Sequence, residues 1–131
     1  MAVVKVVDTS AIAAVLFGEP EGEAAVRRFG GARLVAPGLL AFELANVCVT
    51  KCRRHPRQRE ALLTAFALRH RFAIEEVAVD HAAVVEVALA TKLTAYDASY
   101  LWLARELGAE LVTFDDALER AAAALAGPTK P

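Results

Sequence analysis

Val3-Val4-Lys5-Val6-Val7-Asp8-Thr9-Ser10-Ala11 is the stretch from which the rest of the chain is read. Its β-branched apolar run has the length of a strand. It stops at an acid, followed by small hydroxyl side chains and a helical pattern. A second apolar run late in the chain, Leu111-Val112-Thr113-Phe114-Asp115, also stops at an acid. Between them apolar runs alternate with helical periodicity. Strands are expected near 3–7, 33–36, 72–79 and 110–114, and helices near 9–17, 20–29, 37–54, 57–70, 81–91, 97–107 and 115–125. Gly30-Gly31 and Gly108 suit helix C-termini, and Pro20, Pro37 and Pro56 suit helix starts or breaks. Strands joined by helices imply a mainly parallel sheet with right-handed crossovers, hence an α/β fold in the form of a three-layer α/β/α sandwich.

Composition narrows the field. The chain has 131 residues, 56% of them hydrophobic, which fits one domain with ample core and excludes a disordered chain. That domain is expected over 1–126, with 127–131 (Gly-Pro-Thr-Lys-Pro) as a frayed tail. The net charge of −1 gives no argument from overall basicity to nucleic acid. No run is long enough to span a membrane, and the N-terminal pattern is that of a strand rather than a signal peptide. With only Cys48 and Cys52, four apart on one expected helix, a reduced, cytoplasmic protein is the simplest reading.

Four carboxylates carry the chemistry. Asp8 and Asp115 follow apolar runs, Glu43 lies early in the third helical pattern, and Asp97 opens the sixth. Residues just past the strand ends of a parallel sheet gather at one edge, where such folds bind ligands. Four acids gathered there repel one another unless a cation sits among them. Oxygen-only ligation suits Mg²⁺ or Mn²⁺, and the natural chemistry is metal-assisted attack on a phosphodiester. Each Asp also has a plainer reading as a helix N-cap. That reading is strongest for Asp116, with Glu119 three residues on, and it also covers Asp80. Glu43 resists it. It lies inside a helix among apolar neighbours, where a carboxylate calls for a metal or a buried ion pair with an Arg. Asn46, at i+3, shares its face.

Taken in order, these segments resemble the PIN domain, and within that superfamily the toxins of VapBC-type toxin–antitoxin modules. The resemblance rests on Val7-Asp8-Thr9-Ser10-Ala11, on Phe42-Glu43-Leu44-Ala45-Asn46-Val47, on the segment from Leu93 to Ala104 around Asp97, and on Thr113-Phe114-Asp115-Asp116-Ala117-Leu118. It covers nearly the whole chain. It implies a metal-dependent endoribonuclease in which Asp8, Glu43, Asp97 and Asp115 hold one or two Mg²⁺ or Mn²⁺ ions and activate water to cut RNA. Thr9, Ser10 and Thr113 align with supporting hydroxyls, while Asp116 is left as a cap or outer-shell group. Asp8 and Asp97 are the expected direct ligands. Asp115 would bind directly or through water, and Glu43 would ligate or orient the attacking water. By the same analogy the products carry a 5′-phosphate and a 3′-hydroxyl, and the partners are RNA, a cognate antitoxin and a second copy of the chain.

The remaining features are secondary. His55, His70 and His81 lie outside the motifs, and no Ser or Cys stands in a nucleophile arrangement, so a metal-free mechanism has no residues to run on. Lys51, Arg53, Arg54 and Arg57 form a positive run that suits either RNA phosphates or a solvated helix end. Cys48, Cys52 and His55 match no zinc spacing, and the two cysteines read as buried helix thiols. Tyr100 and Trp102 read as core or dimer contacts. Among rival classes, a haloacid-dehalogenase-type phosphatase needs Asp-x-Asp where this chain has Asp8-Thr9-Ser10. A receiver domain needs paired acids after its first strand and a late Lys. A PIN-like binding module without activity would have no need of all four acids.

Overall fold

The computed structural model describes residues 3–125; the expected tail lies outside them. Four strands, β1 (Val4–Val7), β2 (Arg33–Pro37), β3 (Glu75–Val77) and β4 (Glu110–Val112), form one parallel sheet in the order β3-β2-β1-β4. The helices are α1 (Thr9–Leu16), α2 (Gly22–Phe29), α3 (Leu40–Arg54), α4 (Arg59–Ala67), α5 (His81–Thr91), α6 (Ala95–Leu107) and α7 (Asp116–Leu125). The chain steps outward from β1 through β2 to β3, then returns to lay β4 on the other side of β1. With right-handed crossovers that reversal gives the α/β/α layering. It also creates a switch point between β1 and β4, the place where open parallel sheets form a crevice at their C-terminal edge.

The core sits on the central strands. Val6 and Val7 of β1 and Val112 of β4 are wholly buried, as strands covered on both faces require. α6 packs against β1, β2 and β4, bringing buried Tyr100, Leu101 and Leu103 onto the sheet. α2 crosses close to α1 because Gly22 has no side chain: a Cβ there would meet the Ala14 carbonyl oxygen at 2.8 Å. β4 is an edge strand, so its outer carbonyls lack a strand partner. The Arg28 guanidinium on α2 takes that place, donating to Leu111 O at 3.1 Å and to Thr113 O at 3.2 Å.

Several boundaries differ from the sequence reading. The strand expected over 72–79 is only Glu75–Val77, because Leu68–Phe72 winds into a 3₁₀ turn and Ala73 adopts a left-handed φ of 50°. Pro37 ends β2 instead of opening α3, which starts at Leu40. α6 starts ahead of Asp97: Thr94 is the N-cap, its hydroxyl accepting from Asp97 N at 3.1 Å. Asp97 is thus one of the first-turn residues of α6, with its carboxylate not spent on capping.

Candidate active site

Asp8 follows β1 and Thr113 follows β4, so the switch point places them side by side; the pairing extends one step further, Asp8 N donating to Val112 O at 3.2 Å. Asp8 is 5% exposed. Its Oδ1 accepts from Ser10 Oγ at 2.7 Å and from Ala11 N at 3.1 Å, capping α1, and its Oδ2 accepts from Thr113 Oγ1 at 2.6 Å. The two hydroxyls that donate to Asp8 also accept from the opposite loop: Ser10 Oγ from Phe114 N at 2.8 Å, Thr113 Oγ1 from Asp115 N at 3.0 Å. Their protons are committed to Asp8, so the 3.4 Å approach between the hydroxyls themselves is packing. Through this lattice the β1–α1 and β4–α7 turns hold each other, and Asp115 is delivered beside Asp8. Asp115 Oδ2 accepts from Leu118 N at 2.8 Å, making Asp115 the cap of α7. The expectation for Asp116 is corrected accordingly: it is the first residue of α7, exposed, and a helix position rather than a cap.

Glu43 projects from the first turn of α3, which follows β2. It is half-buried rather than enclosed, and no ion pair with an Arg is present among the described residues. Its Oε1 accepts from Thr9 Oγ1 at 2.8 Å and from Tyr100 OH at 2.7 Å. Both hydroxyl protons are spent on that oxygen, so the 3.2 Å Thr9–Tyr100 contact has no proton to share. One carboxylate oxygen is therefore fixed, and no hydrogen bond among the described residues uses Oε2. Tyr100 lies one turn beyond Asp97 on α6, so the same helix supplies an acid and the hydroxyl that orients another.

The electrostatics tie the four acids together. Burial pushes the Asp97 carboxyl above the usual carboxylate range, and repulsion from Asp115, Glu43 and Asp8, in that order, pushes it further. Burial also raises Asp8, opposed by its hydrogen bonds from Thr113, Ser10 and Ala11 and reinforced by the charge of Asp115. Tyr100 is driven up by burial and by its bond to Glu43, so it stays a neutral donor. Among the described residues no group of three or more His, Cys, Asp or Glu is closed to metal-binding distance. Asp8 and Asp115 each give an oxygen to a helix cap. The donor set nonetheless fits a hard cation: four carboxylates, Asp8 and Glu43 among them held by four hydroxyls, with no sulfur and no imidazole.

The other site residues singled out from sequence take no part in the hydrogen bonding of this centre among the described residues. Asn46 is exposed on the Glu43 face of α3 and makes no hydrogen bond to an acid among the described residues. Lys51 pairs with Glu19 at 2.6 Å and stacks over the Phe17 ring at 5.5 Å, so much of its charge is already answered. Arg53, Arg54 and Arg57 are exposed, and Arg53 stands ten residues from Glu43, about 15 Å along the helix axis. Cys48 is buried and Cys52 partly so; both are free thiols.

Tyr100 is the site residue that sequence reading missed. Its ring is core, as expected, but its hydroxyl reaches Glu43. The spacing of Asp97 and Tyr100, i and i+3 on one helix face, was the available signal. Tyr100→Phe is expected to keep the fold, since half-exposed Glu43 can take a water in exchange, and to lower kcat about tenfold by loosening that carboxylate. An unchanged kcat at saturating Mn²⁺ would show that Glu43 needs no such support.

A family model described as PIN domain matches residues 5–124. The crystal structure of PAE2754 from Pyrobaculum aerophilum is similar to this one with a TM-score of 0.75, at 26% sequence identity over 94% of this chain and 87% of that chain. No protein of curated function matches the sequence. PIN domains are generally metal-dependent nucleases that use Mg²⁺ or Mn²⁺. Matched over almost the whole of its described length, the chain belongs to the PIN-domain family.

Proposed function

We propose that this protein is a Mg²⁺- or Mn²⁺-dependent endoribonuclease and the toxin of a toxin–antitoxin pair. The observation that carries the nuclease reading is the set of hydrogen bonds linking the segments that bear the acids: Thr113 joins Asp8 to the loop of Asp115, and Thr9 and Tyr100 tie Glu43 to α1 and to α6, the helix of Asp97. A bound divalent ion supplies charge to neutralise the attacked phosphate and lowers the pKa of water. Asp8 and Asp97 would hold it directly, and Asp115 would bind it directly or through water. Glu43, fixed through Oε1 by Thr9 and Tyr100, presents its second oxygen to orient water and accept its proton. Ser10 and Thr113 keep Asp8 aimed.

The toxin role rests on the motif resemblance. Arg53, Arg54 and Arg57 are the proposed RNA-phosphate contacts, with Lys51 contributing least because Glu19 holds it. No helix among the described residues is long and apolar enough to cross a membrane, and the free thiols suit a reducing cytoplasm. The protein is also proposed to be a homodimer. Val85 and Leu89, one turn apart on α5, are 50% and 77% exposed and present an apolar stripe suited to a second copy. Light scattering that finds a monomer at micromolar concentration removes the dimer.

Incubation of the purified protein with RNA, with Mn²⁺ or with chelator, tests the nuclease reading. Cleavage only with metal, leaving 5′-phosphate ends, supports it; no cleavage of transfer, ribosomal or messenger RNA removes it. Growth arrest on expression, relieved by the product of an adjacent small reading frame, tests the toxin role.

A further inference from the structure

Beside the acids lies a cleft of about 380 Å³ lined by Thr9, Phe42, Glu43, Asn46 and Val47. Phe42 is 83% exposed, the most exposed large hydrophobic side chain among the described residues. It precedes Glu43 on α3, and Asn46 stands one turn further along the same side of the helix. Neither the core nor the metal-ligand set uses these two side chains. The cleft offers an aromatic face, an amide that both donates and accepts, an apolar wall from Val47, and only one charge, the Glu43 carboxylate.

We propose that this cleft binds an unpaired nucleobase of the RNA next to the bond that is cut, with Phe42 stacking on its face and Asn46 reading its edge. The inference rests on the nuclease reading above and adds the residues that would seat and discriminate the base beside the cleavage point, Phe42 and Asn46. The charge balance selects the occupant. A phosphate in the cleft would face Glu43 with no positive partner, whereas a base is neutral and finds a π face and a donor–acceptor pair. The cleft shares Glu43 and Thr9 with the acid centre, so a base seated there brings its adjoining backbone to the carboxylates. In duplex RNA the base stays in the stack and cannot enter.

The test uses single-stranded RNA oligonucleotides carrying 2-aminopurine beside the mapped cleavage position, and the same strand in a duplex. Binding is measured on the Asp97→Asn protein, which is expected not to cut. Adding Phe42→Ala should weaken single-strand binding about 5- to 100-fold and abolish the fluorescence quenching that stacking produces, while Phe42→Trp restores both. Asn46→Ala should flatten the preference among bases at that position. Duplex binding should be weak and indifferent to Phe42. Single-strand affinity within about twofold of the parent after Phe42→Ala overturns the proposal, because stacking of this kind is worth more than that. So does a change of oligomeric state on Phe42→Ala, which would make the face a contact between copies. Failure of the wild-type protein to cut RNA with Mn²⁺ overturns the nuclease reading and this one together; normal cutting with a silent Phe42 overturns this one alone.

Discussion

Asp8→Asn and Asp97→Asn are each expected to stop RNA cleavage, with a loss on the order of a thousandfold or about 4 kcal/mol of transition-state stabilisation, while the protein remains folded. Asn keeps the shape of Asp but removes the charge that a hard cation needs. Folding survives at Asp8 for a specific reason. An Asn there can keep its oxygen toward Ala11 N and Ser10 and turn its amide to donate to Thr113 Oγ1, because a hydroxyl accepts as readily as it donates. The substitution also takes a charge out of a buried position where burial already disfavours it. At Asp97 the change relieves repulsion from three other acids and touches no cap, since Thr94 caps α6. Metal-free melting temperatures at or above wild type, together with lost cleavage, are the paired result. Near-normal cleavage by Asp8→Asn at saturating Mg²⁺ would place the site elsewhere.

The acids were legible in the sequence because each stands at a place where chain chemistry changes, after an apolar run or inside an apolar helix. Parallel topology accounts for the convergence of Asp8, Glu43 and Asp115, which follow β1, β2 and β4; Asp97 follows α5 and no strand, and is brought to the same sheet edge by the packing of α6 on β1, β2 and β4. What was not legible is how they are held. A tyrosine amid Leu and Ala on α6 reads as core, and its ring is core at 1% exposure; only the position of its hydroxyl, set by how α6 crosses the sheet, turns it toward Glu43. Adjacent Asp115 and Asp116 offered two capping registers. The choice is made by a contact distant in sequence: Thr113, bound to Asp8, takes Asp115 N and fixes Asp115 as the residue that meets Leu118 N. Arg28 is similarly invisible, because a surface Arg near a helix end gives no sign that it covers the edge carbonyls of β4. The third strand is shorter than its pattern implies: the apolar residues from Phe72 to Val79 suit a strand, whereas the left-handed turn at Ala73 has no Gly or Asn to announce it.

Metal, pH and stability should be coupled through the same cluster. The Asp8 and Asp97 carboxyls both lie above the ordinary carboxylate value in the folded protein, chiefly through burial and then, for Asp97, through the other acids. An unfolded carboxylate titrates at about 4, so above that pH the folded chain holds protons that the unfolded chain has released. That contribution to stability is complete below the unfolded value and is lost as pH rises through the raised folded values. Metal-free protein should therefore lose stability across this window, through like-charge repulsion among deprotonated, partly desolvated acids. Mg²⁺ or Mn²⁺ binds the folded, deprotonated cluster and hardly binds the unfolded chain, so it should restore stability by about 2.7 kcal/mol at a hundred times its dissociation constant. The restoration should be larger at high pH, where the cluster no longer has to release protons to take the ion. Melting curves at about pH 5.5 and about pH 8, with chelator and then with Mn²⁺, measure this directly, and taking the difference at each pH cancels titrations unrelated to the metal. The protein with Asp8→Asn and Asp97→Asn together should lose most of the Mn²⁺ effect and the pH dependence of that effect. Stabilisation by Mn²⁺ that is equal at both pH values, or that survives in the double variant, would mean that the ion binds elsewhere and that these acids do not form its site.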